Sequence, residues 1–189
     1  MSALWIIIGI IVLVGIILVV IYNGLVRGKN RADEALSDIT VQMKRRFDLI
    51  PNLVETVKGY ASHEKTVLED VTKARTAAMS AAPSDPNAVA KADNALSGTL
   101  KSLFAVAENY PDLKANQNFL QLQQELVDAE DKIQAARRFY NGNVRDFNTK
   151  LQVFPTKLFG QMLGFKPYTF FDVDASQKAE VEKPVGVKF

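Results

Sequence analysis

The hydrophobic positions of this chain first run together and then spread into a helical rhythm. Ala3 to Ile21 is uninterrupted apolar sequence, mostly Ile, Val and Leu. At about 1.5 Å per helical residue it reaches roughly 28 Å, close to the hydrocarbon thickness of a bilayer. Beyond it, Ala32, Leu36, Ile39 and Met43 recur at three and four and predict a first soluble helix that continues from the apolar run. Asp48 reads as the cap of a second helix, with Pro51 in its first turn, where no internal donor is needed. The alternative is a kink between Arg46 and Pro51 in one long helix. Leu53, Val57, Tyr60, Val67, Val71, Ala74 and Ala78 carry the second helix towards a loop at 81–85. Asp85 and Pro86 then cap and open a third, lined by Val89, Ala92, Leu96, Leu103, Val106 and Tyr110.

Tyr110-Pro111-Asp112 breaks the chain, and the longest helix follows to about Phe154. Its apolar side is Phe119, Leu122, Leu126, Ala129, Ile133, Ala136, Tyr140, Val144, Phe147 and Leu151, with a stutter at Tyr140–Val144 that leaves the helix intact. Pro155 ends it. No strand pattern competes. The expected fold is all-α: an N-terminal transmembrane helix followed by an antiparallel up-and-down four-helix bundle. Residues 1–26 form the anchor, 27–155 the bundle, 156–171 a Phe-rich segment and 172–189 a flexible tail of mixed charge.

Charge sharpens the membrane reading. Residues 1–26 hold no Asp, Glu, Lys or Arg, so all 23 basic and 21 acidic residues fall after them. Ala3 and Ile21 bound the span, and the amphipathic rings of Trp5 and Tyr22 fit headgroup level at its two ends. A cleaved signal peptide would need a basic start and a small-residue cleavage site, and Ile-Tyr-Asn-Gly-Leu is a poor one. Arg27, Lys29 and Arg31 follow the span directly, which places the N-terminus outside and the helical domain in the cytoplasm. Gly9 and Gly15 are too far apart for the GxxxG pairing pattern. The net charge of +2 argues against a nucleic-acid partner. With no cysteine there is no disulfide, thiolate metal site or thiol nucleophile, and the single His63 argues against His-based catalysis.

Several stretches carry a resemblance to a known family. KRRFDLIPNLVETVKGYASHE (Lys44–Glu64), YPDLKANQNFLQLQQEL (Tyr110–Leu126) and AEDKIQAARRFYN (Ala129–Asn141) resemble the LemA family of bacterial membrane proteins. Tyr22-Asn23-Gly24-Leu25-Val26 and Phe154-Pro155 are similar to the family's motifs at the end of the anchor and of the last long helix. Lys44, Arg45, Arg46, Asp48, Pro51, Asn52, Tyr110, Pro111 and Asn118 lie within these motifs. Ala129 is a departure, since many members carry Thr there. The resemblance implies a single-pass protein of the bacterial inner (cell) membrane with a helical bundle and no accepted catalytic activity. Its relatives include a protein needed for magnetosome membrane formation, which favours membrane organisation or complex assembly.

Each candidate chemistry has a plain alternative. His63-Glu64 is half a zinc motif without a second His. Glu125, Asp128 and Asp131 share a helix face that Lys132 partly neutralises. Lys44-Arg45-Arg46 is either a solvated cluster or a source of ion pairs with Asp48 or with Glu residues of a neighbouring helix or subunit. Leu158, Phe159, Met162, Leu163, Phe165, Phe170 and Phe171 crowd a short segment beside Lys157 and Lys166. That segment either completes the core, contacts another subunit or meets lipid. The expected function is a non-enzymatic membrane scaffold without cofactor or metal, self-associating as a homo-oligomer at the lipid bilayer. The alternative is an adaptor for one dedicated membrane partner, such as a protease or sensor.

Overall fold

A computed structural model describes residues 2–82 and 85–171; the expected tail, 172–189, lies outside the described residues. Among the described residues six helices follow in order: α1 (Ser2–Tyr60), α2 (Lys65–Ser80), α3 (Pro86–Ala107), α4 (Pro111–Lys114), α5 (Gln117–Gln152) and α6 (Thr156–Met162). Among the described residues there is no strand. The chain divides into two units. One comprises the described residues up to Asp38 with Ala136–Phe170, and the other Ile39–Ala135 with Phe171.

The first unit contains the apolar run, which is helical and exposed from Leu4 to Val20 except at half-buried Leu18. Burial starts at Leu25 and returns at Gly28, Ala32 and Ala35, a stripe at three and four. Tyr140, Val144 and Phe147 supply the facing side from α5. Small residues on α1 let the ring of Phe147 come close: a methyl added to Gly28 would sit 3.0 Å from its Cδ2.

The second unit corrects two expectations. Asp48 does not cap a new helix; α1 runs through Pro51 to Tyr60, as in the long-helix alternative. Proline removes an N–H, so the Phe47 carbonyl one turn earlier loses its helical donor. Arg75 of α2 replaces it, its Nε donating to the Phe47 oxygen at 2.8 Å. The second helix also does not reach from Leu53 to Ala78, because α1 stops at Tyr60 and α2 begins at Lys65. The apolar spacing continues across this short turn, so periodicity does not reveal it. Side chains hold it: Asn116 Nδ2 donates to the Tyr60 hydroxyl at 3.0 Å, and Tyr110 donates to Glu64 at 3.0 Å. Ala61 is fully buried in the turn.

Asp85 caps α3 as expected from sequence, accepting from the amides of Asn87 and Ala88 at 3.1 Å each. The core of this unit includes Ile39, Met43, Ile50, Leu53 and Val57 of α1, Leu68 and Val71 of α2, Leu96, Leu100 and Leu103 of α3, and Phe119, Leu126 and Ile133 of α5. The last long helix ends at Gln152, within two residues of the expected end near Phe154, and α6 starts just after Pro155.

If Arg75 stands in for the missing proline N–H, its value depends on that proline. We expect Arg75→Met to cost about 1–3 kcal/mol, the range for stranding a partly buried polar group. In a Pro51→Ala background the restored amide serves Phe47 and the same substitution should cost much less. Urea unfolding of the four proteins followed by circular dichroism measures this coupling.

Candidate functional site

Two polar constellations stand out, one in each unit. In the second unit Arg46 is 2% exposed and reaches three acceptors. Its Nη1 lies 3.1 Å from Asp93 Oδ1 and 2.6 Å from Glu130 Oε2, and its Nη2 donates to Ser97 Oγ at 2.8 Å. Gln134 steadies the other oxygen of Glu130 at 2.8 Å. The cluster joins α1, α3 and α5. Asp93 is fully buried, whereas the Glu130 side chain keeps 34% of its exposure and is better screened. Its chemistry is that of a compensated buried charge, with no open cavity required.

In the first unit the chain after α6 is laced to α1 and α5. Asn148 Nδ2 donates to the Tyr168 carbonyl, and the Tyr168 amide returns a bond to Asn148 Oδ1, both at 2.9 Å. Tyr140 donates its hydroxyl to the Thr169 carbonyl at 2.9 Å. The Tyr168 hydroxyl donates to Asp33, which also takes a bond from Lys29 at 2.8 Å. Burial alone raises the Asp33 pKa, but the bonds from Lys29 and Tyr168 and the Lys29 charge together leave it below the ordinary value. The Tyr168 phenol is pushed up, first by burial and then by its bond to the Asp33 carboxylate. Phe147 meets the rings of Phe165 and Tyr168 edge to face at 6.3 and 5.5 Å.

The residues singled out in sequence fall into distinct places. Ala3, Trp5 and Tyr22 are exposed on the apolar helix, and Ile21 is half-buried. Arg27 and Lys29 are occupied locally, Arg27 with the Asn23 carbonyl and Lys29 with Asp33, while Arg31 is exposed. Of the basic triplet, Lys44 and Arg45 are exposed and only Arg46 is buried. Asp48, Pro51, Asn52, Pro111 and Asn118 are exposed, and Tyr110 is half-buried beside Glu64. The Phe-rich segment splits. Phe171 is buried, Phe159 and Phe165 are half-buried, and Leu158, Met162, Leu163 and Phe170 are exposed. His63 is exposed, Gln121 and Gln124 hydrogen-bond to Glu125 and Asp128, and no metal-holding group of His, Asp and Glu occurs among the described residues.

Asp93, Ser97, Arg75, Asp33 and Tyr168 were not singled out as sites. For Asp93 a signal was present: it is an acid between the core positions Val89 and Leu96, where a solvated carboxylate has no place.

Arg46→Ala should destabilise the protein by about 3–5 kcal/mol, because a buried carboxylate loses its cation. Arg46→Lys should recover only part of this, since one ammonium cannot span three acceptors. Unchanged denaturation midpoints would exclude the cluster as a source of stability.

The Tyr168–Asp33 bond has a defined pH window. Asp33, with a folded pKa below 3.8, contributes stability that is present above that value and is lost as pH falls through the folded pKa. Tyr168, with a folded pKa above 10.0, contributes stability that is present below that value and is lost as pH rises further. The stability difference between the parent and Tyr168→Phe should be about 1 kcal/mol near neutrality, discounted for partial exposure. It should shrink in acid and in strong alkali. A pH series of unfolding midpoints reads it out.

Comparison with known proteins places these arrangements. Protein LemA of Metamycoplasma hominis is 28% identical over 85% of this chain and 73% of its own length. Magnetosome protein MamQ of Magnetospirillum gryphiswaldense is 24% identical, as is Magnetosome protein MamQ 2 of Paramagnetospirillum magneticum. Each of those alignments covers 87% of this chain but only 66% of the MamQ protein. The LemA family model matches residues 35–189, a stretch that holds the Arg46 cluster and Tyr140, Asn148 and Tyr168 but begins after the apolar run and after Lys29 and Asp33. The chain therefore belongs to the LemA family.

Proposed function

We propose that this protein is a non-enzymatic, membrane-anchored helical scaffold that self-associates to organise membrane or assemble complexes. The observation that carries this reading is the apolar surface of α1. From Leu4 to Val20 its large side chains are exposed, apart from half-buried Leu18, and the helix continues without a break past Leu25, where burial begins. A hydrocarbon layer offers such a surface a favourable environment over that length. Arg27, Lys29 and Arg31 support a cytoplasmic helical domain and an outside N-terminus at the inner membrane.

In this reading α1, α2, α3 and α5 form the up-and-down bundle, with the Arg46 cluster fixing its register. Self-association runs through exposed apolar positions of the bundle, such as Leu120 and Val127, seven residues apart on one face of α5. Such contacts are weak singly. Anchors that confine the chains to one plane raise their effective concentration and make repeated weak contacts sufficient.

The purified full-length chain in mild detergent should run as a species several times larger than the 20.9 kDa single chain. Leu120→Glu with Val127→Glu should shift it towards monomer while leaving its circular dichroism unchanged. Light scattering after size exclusion measures both. A monomer in the parent would overturn self-association and leave the adaptor reading, in which one dedicated membrane partner occupies that face.

A further inference from the structure

We propose that α6 and the turn before it form a second membrane contact, an interfacial foot that rests in the headgroup layer of the bilayer crossed by α1. This rests on the anchor reading of Ala3–Ile21. The placement comes from geometry within the first unit. The backbone at Gly160, in the middle of α6, lies close against α1 and α5. A methyl there would be 2.9 Å from Leu151 Cδ2 and 3.8 Å from Leu25 Cδ1. The rings of Tyr22 and Phe165 meet edge to face at 6.3 Å. Leu25 is one helical turn beyond Ile21, about 6 Å along the axis. The polar layer on each side of the hydrocarbon core is roughly 5–8 Å thick. An anchor ending at Ile21 therefore brings the Gly160 backbone to headgroup level.

What the foot presents at that level fits lipid. Phe154 is 81% exposed and Met162 82%, with Leu158 and Leu163 about half exposed beside them. Apolar side chains grouped this way and left uncovered by their own protein mark a contact surface. The neighbouring Lys157 and Lys166 are exposed, as are Arg27 and Arg31 on the adjoining stretch of α1. Large apolar residues interleaved with bases are the composition of a segment lying in the plane of an anionic membrane surface. The apolar group is also continuous with the anchor, through Phe165 on Tyr22, so one bilayer covers both.

The foot is held in position. The paired Asn148–Tyr168 bonds, the Tyr140–Thr169 bond and the Tyr168–Asp33 bond all fasten the strand of chain that follows α6. Phe165 and Tyr168 turn inward onto Phe147, while Leu158 and Met162 remain exposed. An anchor alone permits the body to tilt and spin about one helix. A fastened second contact restricts the tilt of the first unit.

The test uses the full chain, which has no cysteine, in vesicles of phosphatidylcholine and phosphatidylglycerol. Single-cysteine variants Val12→Cys, Met162→Cys and Asp38→Cys each carry an environment-sensitive fluorophore, and lipids brominated along the acyl chain act as the quencher. All three positions are exposed on the protein, so labelling does not disturb the core. Position 38 lies about 25 Å past Ile21 along α1 and reports water. The expected order of lipid quenching is strongest at 12, intermediate at 162 and absent at 38. Strong quenching at 12 with none at 162 and a water-like emission there overturns the foot and keeps the anchor. Blue-shifted emission at 162 without lipid quenching also overturns it, and assigns the patch to a second copy of the chain. Loss of quenching at 12 overturns the anchor reading itself.

Discussion

Pro51 has no amide hydrogen, and the course of α1 depends on what happens to the carbonyl it abandons. A buried or half-buried carbonyl left without a donor costs enough to bend or stop a helix. Here the guanidinium of Arg75 reaches across from α2 and donates to the Phe47 oxygen. One bond thus does two things: it lets α1 continue from Arg46 to Tyr60, and it ties α2 to that continuation. With α1 unbroken, Phe47, Ile50, Leu53 and Val57 fall on a single buried stripe. Arg46, one residue before Phe47, projects from the same turn to acids on α3 and α5. Arg46 on α1 and Arg75 on its neighbour Phe47 therefore tie this part of α1 to α2, α3 and α5.

Arginine suits both tasks because its planar group offers several donors with fixed directions and stays charged at any relevant pH. A buried ion pair is seldom the strongest way to fill a core, since each charge must first be stripped of water. Its contribution here is selection. The stripes of Ala, Val and Leu on these helices repeat every three or four residues, so a slip by one turn would still bury apolar surface. A slip would not bring Asp93, Ser97 and Glu130 together around one guanidinium. The wrong registers are penalised by a buried charge, which apolar contacts alone do not do.

How much of this was legible in the sequence follows from what kind of interaction formed each feature. The apolar run, the Asp85 cap and the Pro155 stop depend on neighbours within a few residues, and the pattern read them. The cap predicted at Asp48 rested on the same local logic and did not form, because Arg75, distant in sequence, removed the reason for a break. The turn at Ala61–Glu64 was invisible for a related cause: Tyr60 and Glu64 are held by Asn116 and Tyr110, while the apolar spacing passes over the gap unchanged. The basic triplet was recognised as a source of ion pairs to a neighbouring helix, but neither the buried member nor its acids were named. Only the partners distinguish Arg46 from Lys44 and Arg45. The Phe-rich segment was seen as a whole, although its residues divide by direction, and direction is set by the Asn148–Tyr168 bonds and not by composition.

That division bears on how an anchored protein uses apolar residues. Phe165, Tyr168 and Phe147 form edge-to-face contacts that a protein interior rewards, and the Tyr168 hydroxyl finds the Asp33 carboxylate. Leu158 and Met162 have neither rings to stack nor polar atoms to satisfy. Met in particular fills irregular surroundings without demanding a fixed geometry. A partner protein would favour shape-specific anchors at its centre, whereas a fluid layer of lipid makes no such demand. Phe165, Tyr168 and Phe147, whose rings meet in defined geometry, are thus turned into the protein, while Phe154, Leu158 and Met162 are left exposed. The acid that receives Tyr168 lies one turn along α1 from Lys29, so the basic flank of the anchor and the fastening of the Phe-rich segment are one connected structure. Asp33 accepts from both Lys29 and Tyr168, which makes it a joint between α1 and the chain that follows α6.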